Sequence, residues 1–115
     1  MRVIWIAVLM LPVMAHADGY DGLYHPEGQR GWLCDEPSLG RDGGALAIRE
    51  GKIIGVENTC DMSNPVNVRD MDAVLYDLEC SAEGETYTER AMVARSDTGV
   101  IILRDGFVAK WSTCR

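Results

Sequence analysis

The chain has 115 residues, with 18 Asp plus Glu against 11 Lys plus Arg, a formal charge of −7 and a pI of about 4.7. This length supports one domain with a modest core, and the acidic balance argues against nucleic acid or an anionic membrane surface as a partner.

The N-terminus reads as a leader. Met1 and Arg2 form a minimal basic start, Val3 to Met14 carry no charged side chain, and Ala15-His16-Ala17 is a small-x-small cleavage signature. Residues 1–17 are therefore expected to be a signal peptide and residues 18–115 a single disulfide-bonded β domain. About a dozen apolar residues, at roughly 1.5 Å each in a helix, fall short of a hydrocarbon core about 30 Å thick. No membrane insertion is expected after cleavage, and the expected location is periplasmic or secreted. Losing Arg2 with the leader leaves 10 basic against 18 acidic residues, a formal charge of −8 over 98 residues.

Residues 18–44 are rich in Gly, Asp and Pro, with Tyr20, Tyr24 and Trp32 spaced among them; they read as an extended lead-in. Those aromatics suit the closing of a barrel base, with the lining of a ligand cavity or partner surface as the other role. Leu46 and Ile48 alternate with Ala45 and Ala47, Arg49 to Lys52 interrupt, and Ile54 and Val56 resume the pattern, which predicts a β-hairpin. Residues 61–72 hold Asn64-Pro65 and little apolar mass, predicting a loop with a short extended piece at Val66 to Val68 and a helical turn at Val68 to Asp72. From Val74 the alternation is clearest, with Val74, Tyr76, Leu78 and Cys80 on one face and Asp77 and Glu79 on the other. Glu83-Gly84-Glu85 turns the chain into a strand ending near Arg95. Asp97-Thr98-Gly99 turns it again into Val100 to Arg104, and Asp105-Gly106 signals a hairpin before Phe107, Ala109 and Trp111.

Turns this short join antiparallel neighbours. The expected fold is all-β: a small antiparallel meander of about six to eight strands, forming a barrel or a strongly curved sheet that leaves few exposed edges.

Cys34, Cys60, Cys80 and Cys114 all fall in the proposed mature part, and an even count in a short exported chain reads as two disulfides. Zinc fits poorly, because structural sites pair ligands a few residues apart and here at least 19 residues separate neighbouring cysteines. Three connectivities are open; the reading favours Cys34 with Cys60 and Cys80 with Cys114. Cys114 follows Trp111 by three positions, so a regular strand would turn it to the opposite face; either the strand ends first or the bridge lies on the rim.

No constellation stands out as catalytic, and no cofactor or metal is expected. Glu83, Glu85, Glu89, Asp77 and Glu79 supply enough carboxylates for an acid and base pair, but a solvated hairpin tip explains them. Asp18, Asp21, Asp35, Glu36 and Asp42 lack calcium-loop spacing and fit turn chemistry. His25 is the single histidine beyond the leader, and Ser38, Ser63, Ser81, Ser96 and Ser112 lack a nucleophile-elbow context. Gly40-Arg41-Asp42-Gly43-Gly44 lacks the Lys and Ser or Thr of a phosphate loop. The one structural pair singled out is Glu57 with Arg90: Arg90 shares parity with Met92, and if both face inward they form a buried ion pair that fixes strand register.

Gly31-Trp32-Leu33-Cys34, Glu57-Asn58-Thr59-Cys60, Leu78-Glu79-Cys80-Ser81-Ala82-Glu83-Gly84 and Trp111-Ser112-Thr113-Cys114 together resemble small exported bacterial proteins with four cysteines, whose function is uncharacterised. The resemblance spans nearly all of residues 18–115 and brings no activity or catalytic residue. A looser likeness is to small periplasmic β-barrel inhibitors of lysozymes and proteases and to lipocalin-type barrels, whose Gly-x-Trp is approximated by Gly22-Leu23-Tyr24.

These observations lead to the expectation of an exported, non-enzymatic binding module of the bacterial envelope, whose partner is an unknown protein or small ligand. Inhibition of an attacking hydrolase is the first form this takes, an acidic surface suiting a basic target. A small-molecule carrier with a pocket inside the barrel is the alternative.

Overall fold

The computed structural model describes residues 17–115; apart from Ala17, the proposed signal peptide lies outside them. Eight strands are formed among the described residues: β1 (Gly22–Pro26), β2 (Leu46–Arg49), β3 (Lys52–Gly55), β4 (Asn58–Asn67), β5 (Ala73–Ala82), β6 (Glu85–Arg95), β7 (Gly99–Arg104) and β8 (Phe107–Thr113). Each pairs antiparallel with its sequence neighbour, and β8 returns to pair with β1, closing an up-and-down barrel. The expected all-β fold with two disulfides is present, in its barrel form.

Turn chemistry explains the register. Glu50-Gly51 and Glu83-Gly84 are two-residue loops with both residues at positive φ, the twist-matched form for hairpins, and they pair Arg49 with Lys52 and Ala82 with Glu85. From those anchors the two-residue side-chain period carries Leu46, Ile48, Ile53, Cys60, Tyr76, Leu78, Cys80, Val93 and Ile102 into the barrel, each at most 3% exposed. The face assigned to β5 is the one observed. In β3 the two-residue turn makes Ile53 the core residue opposite Ile48, and Ile54 faces outward.

Several local expectations are corrected. The segment read mainly as a loop contains residues 61–67 of the ten-residue β4, whose low apolar content follows from its mostly solvent-facing surface. Asn64, at positive φ, and Pro65 sit in an irregularity between Ser63 and Val66, where a residue lacking an N–H is tolerated. Residues 68–72 form a hydrogen-bonded turn rather than a helical one, with Met71 N donating to Val68 O at 3.2 Å. The extended lead-in contains β1, short 3₁₀ turns at Ala17–Tyr20 and Glu36–Ser38, and a long loop between β1 and β2.

The disulfides are Cys34–Cys114 and Cys60–Cys80, which corrects the favoured pairing. The β4–β5 register sets Cys60 directly opposite Cys80, so cross-strand pairing brings the two sulfurs together inside the barrel. β8 ends at Thr113, before Cys114, whose N–H donates to Leu23 O at 2.8 Å; the chain end thus lies along β1, where Cys34 of the long loop meets it. Barrel closure, invisible in sequence spacing, brings these distant cysteines together.

Tyr20 and Tyr24 close the end of the barrel formed by the β4–β5 and β6–β7 connections. The Tyr20 hydroxyl donates to Asp72 Oδ1 at 3.0 Å, Arg95 Nε donates to Asp72 Oδ2 at 2.9 Å, and the Arg95 guanidinium stands 5.1 Å from the Tyr20 ring centroid. The Tyr24 hydroxyl donates to the Tyr20 carbonyl. Burial, then the hydrogen bond to Asp72, push the Tyr20 hydroxyl up to about 12.

Candidate functional site at the open end of the barrel

The opposite end carries the β3–β4, β5–β6 and β7–β8 turns and receives the long loop between β1 and β2. That loop is anchored from several directions. Asp35 Oδ1 accepts from Ser38 N at 3.1 Å, capping the 3₁₀ turn, and the Ser38 hydroxyl accepts from Ala45 N at 3.0 Å. Arg49 binds Glu36 through both guanidinium ends, at 2.9 and 3.0 Å, and holds its carboxyl below the usual carboxylate range. Gly44 packs directly against the Ser38 backbone, where a Cβ has no room. These contacts lay residues 36–44 along the outer face of β2 and present Trp32 toward the barrel mouth.

A cavity of about 650 Å³ lies there. Leu46, Ile102, Trp111 and Ala109 form its inner wall, Trp32 covers one side, and Phe107, Val108 and Val56 make an apolar rim. Trp111 is 9% exposed and its ring lies 5.9 Å from that of Tyr24, so the wall continues into the packed core. Trp32 is oriented by its indole N–H, which donates to Gln29 Oε1 at 2.9 Å. Phe107 and Val108 remain 59% and 52% exposed, although they belong to a regular strand. A concave, largely apolar chamber of this size with a few fixed polar groups has the character of a small-molecule site.

The polar groups at this end are ordered. Register places Glu89 opposite Leu78 and Arg104 opposite Ala91, so both project inward. Arg104 Nη1 lies 3.0 Å from Glu89 Oε1, with side chains 19% and 25% exposed, and Arg104 Nη2 lies 3.8 Å from Cys60 Sγ. Nearby, Asn58 Nδ2 donates to Tyr87 Oη at 2.6 Å. Arg104, Asn58, Lys110 and Glu27 line the cavity.

The inward ion pair is therefore Glu89 with Arg104, and the expected pair of Glu57 with Arg90 is not formed. Glu57 occupies the β3–β4 turn at positive φ, exposed, its N–H donating to Gly40 O. Arg90 faces outward and pairs with Asp77 at 3.5 Å. The misreading lay in the parity of β6: Ala91 and Val93 enter the core, which turns Arg90 and Met92 outward. Anchoring β6 on Glu83-Gly84 as a two-residue turn counts Glu89 opposite Leu78, so this signal lay in the sequence.

The other candidates are dispersed. Glu83 and Glu85 are exposed at the β5–β6 turn, and Asp77 and Glu79 lie on the outer face, away from Glu89. His25 sits on β1 with Nδ1 3.1 Å from its neighbour's Pro26 O; Ser112 stands opposite in the ladder without a hydrogen bond to it. Asp35 and Glu36 serve the loop as described, the Asp18 side chain lies outside the described part, and no three metal-ligating side chains converge among the described residues. No helix among them is long and apolar enough to cross a membrane. Comparison with protein-family models, with curated proteins and with solved structures found no match to this chain.

Proposed function

We propose that this chain is an exported, non-enzymatic binding module whose barrel mouth holds a small, predominantly apolar ligand. The observation that carries this reading is the cavity of about 650 Å³, walled by Trp32, Trp111, Leu46 and Ile102 and opening through an apolar rim. Between the two forms of binding module expected from sequence, the carrier is favoured: an inhibitor needs only a surface, whereas a concave apolar cavity at the mouth of a barrel suits a small guest. The uncharged stretch from Val3 to Met14 and the two disulfides support export to the periplasm or beyond. The likeness to small exported four-cysteine proteins of bacteria agrees with that location.

Nile red, a neutral polarity-sensitive dye, tests the reading. Its emission should rise and shift to the blue on addition of the disulfide-intact protein, and Trp32→Ala should weaken binding about tenfold, as truncation of an aromatic anchor does. No spectral change at micromolar protein, with native mass spectra free of retained ligand, would remove the carrier reading. The exposed rim formed by Phe107, Val108 and Val56 supports the second reading, inhibition of an attacking hydrolase. Titration against lysozymes and a protease panel decides that one.

A further inference from the structure

We infer that the guest of the barrel mouth is an apolar monocarboxylate whose head group is bound by Arg104; this rests on the cavity being the binding site proposed above. Arg104 is the last residue of β7, projects inward, is four-fifths buried and lines the cavity wall beneath the apolar rim. A guanidinium offers five N–H donors in a planar fork. Here that capacity is poorly met. Glu89 Oε1 lies 3.0 Å from Nη1, yet this oxygen is sealed from solvent and accepts no hydrogen bond, so the contact is coulombic and misaligned. The acceptor found by Nη2 is a disulfide sulfur, Cys60 Sγ, at 3.8 Å, which is a weak one.

A carboxylate entering head first would give Arg104 the two parallel hydrogen bonds that neither present partner supplies. Its apolar body would then lie between Trp32 and Trp111, with Ile102 and Leu46 below it. The cavity lining carries two cations, Arg104 and Lys110, beside Glu27, and Glu89 stands against Arg104 from β6. Glu89, set behind Arg104 on β6, competes with the guest for the same cation, and its removal should therefore tighten binding.

Calorimetric titration of the secreted, disulfide-intact protein with 1-naphthylacetate and decanoate, against 1-naphthylacetamide and decanamide, tests the inference. At least one acid should bind about tenfold or more tightly than its amide, the advantage of a charge-assisted pair over a neutral one. Glu89→Gln should strengthen the acid severalfold and leave the amide unchanged. Arg104→Met alone would strand Glu89, so the informative loss is the double variant Arg104→Met/Glu89→Leu, in which an apolar pair replaces the ionic one and the fold is retained. It should lose the preference for the acid, whose affinity then falls to that of its amide in the same variant. Equal affinity for acid and amide, or a double variant that still prefers the acid, overturns the role of Arg104 while leaving the cavity as a binding site. Failure of all four probes and of Nile red removes the binding site itself, and the inference with it.

Discussion

At the scale of single residues, Tyr20 couples the closed end of the barrel to pH. Its hydroxyl, ordinarily near 10, is held at about 12 by burial and by its hydrogen bond to Asp72. Below pH 10 the tyrosine is neutral in both the folded and unfolded chain, and the full stabilisation is present. Between about 10 and 12 the unfolded chain releases this proton while the folded one retains it, so stability falls as pH rises through that window. Tyr20→Phe should flatten the decline in melting temperature from pH 10 to 12 and remove an ultraviolet tyrosinate step near pH 12; an unchanged slope and titration would contradict this account. At the same scale, Glu89 and Arg104 were legible in principle from turn counting, yet composition disguised them among many surface charges. Nothing in the residue types distinguishes a carboxylate aimed into the barrel from one aimed at solvent, and only strand parity separates them.

At the scale of elements, two-residue turns and alternating side chains set most of the strands, and both are local properties of the chain. β5 announces itself because one face is apolar throughout; β4 does not, because much of its length is exposed and Asn64-Pro65 interrupts it. The β7–β8 pair shows how closely backbones must approach. A Cβ at Gly99 would collide with the Trp111 carbonyl oxygen and meet the Ser112 Cα at 3.0 Å. Gly99→Ala should therefore force the start of β7 away from β8 and cost about 1–3 kcal/mol, with a change in Trp111 fluorescence. Denaturant unfolding with wild-type stability would show that this crossing tolerates more slack than its geometry implies.

At the scale of the whole molecule, closure is completed by hydrogen bonds between β1 and β8 and reinforced by the Cys34–Cys114 bridge. Its sequence separation of 80 removes somewhat more freedom from the unfolded chain than the separation of 20 spanned by Cys60–Cys80, since closure entropy grows only slowly with loop length. The chain-entropy relation assigns about 4.5 kcal/mol to the longer closure and about 3.3 kcal/mol to the shorter. Cys34→Ala/Cys114→Ala should lower unfolding free energy by an amount of that order and expose residues 28–43 to protease, with the strand content seen by circular dichroism preserved. Unchanged protease resistance would mean that the Arg49–Glu36 and Ser38 contacts hold the loop without the bridge.

The sequence by itself determined an all-β domain of short antiparallel strands, the inward face of β5 and an even set of cysteines suited to two bridges. Each of these follows from interactions among near neighbours: side-chain period, turn residues, and composition. Which cysteines pair, which charges enter the barrel, and where Trp32 comes to rest were decided only in three dimensions. They depend on β1 meeting β8 and on register accumulated around a closed circuit, where one misplaced residue in a strand exchanges inside for outside.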